Sequence, residues 1–157
     1  MSDSLFDAIR NNDENTVSDL LKSNPELVGS RDQRGSTPLL LSTYFGLKEI
    51  THIILKYPQD LNAQDASGNT ALMGVCFKGF EEIAEKLIKA GADVNTRNFN
   101  GGTALIFAVS FGRTNLVRLL LDNGADPEVK DDSGNTALDH ARMHSVKDAI
   151  ALLTNNN

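Results

Sequence analysis

The chain has no tryptophan, and its 157 residues include a single cysteine, Cys76. One thiol permits no intramolecular disulfide, so nothing in the sequence requires an oxidising compartment and the cytoplasm is the expected location. Aromatic residues are scarce, seven Phe and two Tyr among 40% hydrophobic residues, so a core has to be built from aliphatic side chains. No uninterrupted apolar run approaches the roughly 20 residues that span a bilayer. The opening segment, MSDSLFDAIRNNDENTV, is acidic early and holds no apolar run of signal-peptide length. Positive charge is also short: 15 Lys and Arg face 21 Asp and Glu, a formal charge of -6. That balance argues against nucleic acid or an anionic membrane surface as the partner. The length suits one compact domain or one short repeat array.

What is present is repetition. The hexamer SGNTAL occurs at Ser67–Leu72 and again at Ser133–Leu138, 66 residues later. Half of that interval is 33, and a 33-residue comb also collects Gly35, Gly68, Gly101 and Gly134, then Thr37, Thr70, Thr103 and Thr136. Leu39, Leu72, Leu105 and Leu138 follow two places later. In the unit from Asp65 to Arg97, Asp-Ala-Ser-Gly is turn chemistry, with Gly68 free to take a positive φ. Thr70 is placed to cap a helix on which Leu72, Val75 and Cys76 form one apolar stripe, and Gly79 ends that helix. A second helix turns Ile83, Ala84, Leu87 and Ile88 inward, with Glu81, Glu82, Glu85 and Lys86 outward, and stops at Gly91. Neither helix is long enough to be stable alone, so such units must stack on one another.

GSTPLL, GNTALM, GGTALI and GNTALD, with GAD at Gly91–Asp93 and Gly124–Asp126, resemble ankyrin repeats over essentially the whole chain. The TAL-type units are similar to those of bacterial ankyrin proteins. The resemblance implies an all-α solenoid of stacked helix-turn-helix units with projecting turn or hairpin fingers. It implies one domain, 1–157, of five repeats: an N-terminal cap at 1–31, then 32–64, 65–97 and 98–130, and a C-terminal cap at 131–157 ending in the polar segment Thr154 to Asn157. Helices are expected near Leu5 to Asn11 and Glu14 to Ser23, with no room left for another domain. The family often has His after the Leu of its Thr-Pro-Leu motif; Leu40, Met73, Ile106 and Asp139 stand there instead. Residues 32–64 close with KYPQDLN in place of GAD, so that turn should differ.

The resemblance also implies a non-catalytic module, an adaptor or inhibitor that binds a protein partner on its concave face and acts as a monomer without a cofactor. Residues near the end of each first helix would face the partner: Arg10 and Asn11, Tyr44 and Phe45, Phe77 and Lys78, Ser110 and Phe111, Met143 and His144. Aromatic anchors suit a protein-binding surface; the alternative is that these rings thicken the core between neighbouring first helices. A second row, Arg31, Gln64, Arg97 and Lys130, with Arg34 in the same turn, would make the turn edge basic, or would pair with acids such as Asp32, Asp65 and Asp131.

Candidate chemistry is sparse. Cys76 lies on the apolar stripe, which suits an inert core thiol better than a nucleophile. His52 reads as a surface or boundary residue. His140 and His144 are four apart, one face of a helix, and define the rival reading: a small metal-dependent enzyme that would need a third ligand.

Overall fold

A computed structural model describes residues 1–155; Asn156 and Asn157 of the expected polar tail lie outside the described residues. Ten α-helices form five antiparallel pairs: α1 (Ser2–Arg10) with α2 (Glu14–Ser23), α3 (Pro38–Tyr44) with α4 (Lys48–Ile54), α5 (Ala71–Lys78) with α6 (Glu81–Ala90), α7 (Ala104–Ser110) with α8 (Thr114–Asp122), and α9 (Ala137–Met143) with α10 (Lys147–Asn155). The odd-numbered helices pack side by side in an inner layer and the even-numbered ones in an outer layer. The expected all-α solenoid is present, and its fingers are tight turns, with no strand among the described residues.

Local chemistry sets each boundary. Thr37, Thr70, Thr103 and Thr136 each begin an inner helix, the hydroxyl accepting the backbone N–H three residues on at 3.1–3.3 Å. A donor with no partner inside the helix is thereby satisfied. Each pair then turns through one left-handed residue: Asn12, Gly46, Gly79, Gly112 and Ser145, with φ from 53° to 85°. The next amide reaches back to a carbonyl of the inner helix in all five, as in Leu47 to Ser42 and Phe80 to Val75, both 3.0 Å. Helix α1 begins at Ser2, earlier than the expected Leu5, with Asp3 in its first turn, where the helix dipole favours an acid.

The core is the seam between the layers. Leu39, Leu72 and Leu105 are at most 2% exposed, and burying each such side chain is worth about 1.5–3 kcal/mol. Ile83, Ala84 and Leu87 meet them from the outer layer, while Glu81, Glu82 and Glu85 stay in solvent. The KYPQDLN turn does differ. In place of a left-handed glycine, the Gln59 side chain donates from Nε2 to the carbonyls of Ile54 (2.8 Å) and Tyr57 (3.0 Å).

Candidate binding groove on the inner helices

The rings at the ends of the inner helices are neither free nor core. Tyr44, Phe45, Phe77 and Phe111 are 48%, 51%, 36% and 48% exposed. They pack edge to face on one another, Phe77 with Phe111 at 4.6 Å between centroids and Tyr44 with Phe45 at 5.7 Å. Lys78 Nζ lies 4.5 Å from the centre of the Tyr44 ring, a cation–π distance. Their contact with one another fixes the rings and leaves apolar area facing out.

Beside them lies a groove of about 1070 Å³, formed by α1, α3, α5 and the turns that precede α3 and α5. Of the expected partner-facing residues it brings together Arg10, Arg34, Tyr44, Phe45 and Phe77. Lys78, Ser110, Phe111, Met143, His144, Arg97 and Lys130 lie outside its lining, so the groove occupies the N-terminal half of the inner face only. Four aspartates, Asp3, Asp7, Asp32 and Asp65, line it against the two arginines.

Sequence reasoning passed over the groove's floor. Leu41, Gly74 and Phe107 line it at 33-residue spacing. Gly74 is the one glycine inside an α-helix among the described residues, and a Cβ built there would meet nothing within 4 Å. Glycine in a helix costs about 0.5–1 kcal/mol relative to alanine, so no packing demand accounts for it. The interruption of the row by a glycine was the available signal. Phe99 was also missed; it stands 66% exposed on a finger, its backbone N–H bonded to the Ser67 carbonyl at 3.2 Å.

The turn-edge row turns out to be a ladder, neither a free basic rim nor a set of pairs with the adjacent acids. Arg31 Nη1 donates to the Gly35 carbonyl of its own turn and to the Gln64 carbonyl of the next at 2.9 Å. Gln64 Nε2 donates likewise to Gly68 and Arg97, and Arg97 to Gly101 and Lys130. The planar Arg and Gln groups reach two carbonyls at once. Asp32, Asp65, Asn98 and Asp131 fold the turns instead, each Oδ1 accepting backbone N–H groups two and four residues on at 2.8–3.0 Å. Two of the aspartates use their second oxygen as well: Asp32 Oδ2 meets Arg10 at 3.1 Å, and Asp131 Oδ2 meets His140 Nε2 at 2.7 Å, while Asn98 Nδ2 donates to Asn69 Oδ1 at 2.8 Å. Arg97 also approaches an acid, Asp132 of the following turn, at 3.7 Å.

The reactive candidates are accounted for. Cys76 is fully buried, and desolvation pushes its thiol up to about 12, so the nucleophilic thiolate does not form near neutral pH. His52 is exposed. The His140 and His144 rings stack with centroids 6.4 Å apart, and His140 is already committed to Asp131. Among the described residues no group of three or more His, Cys, Asp and Glu is placed to hold a metal ion. No helix among them is long and apolar enough to cross a membrane.

Paired helices, four of the five begun by a threonine cap and each turned by one left-handed residue, joined along their fingers, define a helical repeat solenoid. The chain belongs to the ankyrin repeat family: a family model for ankyrin repeats in three copies matches residues 5–98, and one for ankyrin repeats in many copies matches residues 82–141. No curated protein matches the chain significantly. Ankyrin repeats are generally protein–protein interaction modules, and the fold is typically non-catalytic.

Proposed function

We propose that this protein is a non-catalytic binding module, an adaptor or an inhibitor, which holds a partner protein in the groove over α1, α3 and α5. The observation that carries the reading is the set of exposed rings Tyr44, Phe45 and Phe77 on the wall of a large groove whose backbone is fixed by the turn ladder. A rigid surface with fixed aromatic anchors loses little freedom on binding, so more of the contact energy appears as affinity.

The test is calorimetric titration of a partner isolated from native extract. Tyr44→Ala and Phe77→Ala should each weaken binding by about 2 kcal/mol, roughly 30-fold, at unchanged melting temperature. Phe111→Ala, outside the groove, should weaken it less. Full affinity in both groove variants would overturn the reading. Variants that melt far below wild type would instead assign the rings to the core.

A further inference from the structure

We infer that the groove takes a basic side chain of its partner, an arginine or a lysine, with the stem lying over Gly74 and the charged head on Asp65 Oδ2. The inference rests on the groove reading above and names what the groove recognises.

Three repeats carry an aspartate whose Oδ1 folds the turn, and in two of them Oδ2 bonds a side chain of an inner helix. In the first, Asp32 Oδ2 receives the Arg10 guanidinium at 3.1 Å. In the last, Asp131 Oδ2 receives the His140 ring at 2.7 Å. Asp65 has the same turn bonds, at 2.9 Å to Ser67 and Asn69, but its Oδ2 has no side-chain partner among the described residues. The residue nine places on, which is His140 for Asp131, is Gly74 for Asp65. The chain therefore omits the group that completes this arrangement elsewhere, and the space over Gly74 stays open.

The vacancy has a definite chemistry. A cationic donor suits the carboxylate, as Arg10 shows beside Asp32 in the preceding repeat. A long aliphatic stem suits the floor between Leu41 and Phe107, both of which line the groove. Tyr44 and Phe77 stand one helical turn from Leu41 and Gly74 on the same helix face, and both line the groove. The lining as a whole, four aspartates against two arginines, favours a basic guest.

The experiment pans a phage-displayed random peptide library on the wild-type chain and titrates the selected peptides against two variants of the proposed site, with Tyr44→Ala as a third that reports on the groove. Asp65→Asn keeps the turn acceptor, since Asn98 does the same work in its own repeat with bonds of 3.0 and 2.8 Å, and removes only the charge. Gly74→His places an imidazole where His140 stands and plugs the site from within. Both should melt within a few degrees of wild type. The selected peptides should share an Arg or Lys whose replacement by Ala costs about 10-fold or more in affinity, and both variants should show a comparable loss. A library that yields no binder, or binders without a required basic residue, overturns the inference. So do peptides that bind Asp65→Asn as tightly as wild type. Peptides indifferent to Asp65→Asn and Gly74→His but weakened by Tyr44→Ala would sink this inference and leave the groove reading standing; indifference to all three would sink both.

Discussion

Ser67–Leu72 and Ser133–Leu138 carry the same six side chains in the same turn-and-cap conformation, yet they sit in different surroundings. Around the first copy, Phe99 bonds its N–H to the Ser67 carbonyl at 3.2 Å, Asn98 donates to the Asn69 side chain at 2.8 Å, and Thr70 and Leu72 are buried. No following turn covers the second copy among the described residues; Thr136 and Leu138 stay partly in solvent, and the space beside Gly134 is open. Identical sequence thus yields identical local geometry, because the Asx turn and the threonine cap join the segment only to residues one or two places beyond its ends, Asp65 and Met73 in one copy and Asp131 and Asp139 in the other. Burial differs, because it depends on the next unit in the stack.

The largest contrast should appear at the leucines. Leu72→Ala removes a side chain only 1% exposed between two repeats and should cost about 2–5 kcal/mol. Leu138→Ala should cost roughly half of that or less, since its side chain already meets water. Denaturant melts of both variants measure the difference, and equal losses would mean that neighbouring repeats do not set the burial energy.

The glycines offer a finer contrast. Gly68 and Gly134 have φ of 81° and 82°, so alanine at either should suffer the same left-handed strain, about 1–2 kcal/mol. At Gly68 the new Cβ would also stand 2.6 Å from the backbone nitrogen of Phe99. Overpacking against backbone should add about 1–3 kcal/mol there and nothing at Gly134. Thermal melts in which Gly134→Ala proves the worse variant would contradict the packing described.

The smallest effect concerns the last turn's own device, the Asp131–His140 contact. Burial pushes the Asp131 carboxyl up, but the N–H of Asn135, the His140 ring and the N–H of Ser133 outweigh it and hold the group below its ordinary value. A carboxyl depressed in the folded state stabilises fully above its unfolded value, near pH 4, and that contribution is lost as pH falls through the folded value. Wild type should therefore lose stability on acidification below about pH 4, and Asp131→Asn should lose less over the same window in acid melts.

The period, the threonine caps, the glycine stops and the apolar stripes were all legible in the sequence, because each is decided within a few residues of the chain. That locality placed Leu72 and Leu105 in the core and marked the KYPQDLN turn as different. The partner-facing side for Tyr44, Phe45 and Phe77 came instead from the resemblance to ankyrin repeats, and the binding titration tests that role. The fate of Arg31, Gln64 and Arg97 was not legible, since a side chain that spans to a carbonyl 33 residues away looks the same in sequence as one that faces solvent. The groove's confinement to the N-terminal half was equally hidden. Its lining takes in α1, α3, α5 and two turns, with Gly74 at the position that Phe107 and His140 hold further along the stack. Sequence alone determined what each repeat is, because its bonds close within the unit. Only the tertiary structure decided which surface is left open, because that depends on which side chains of neighbouring units meet across the interface.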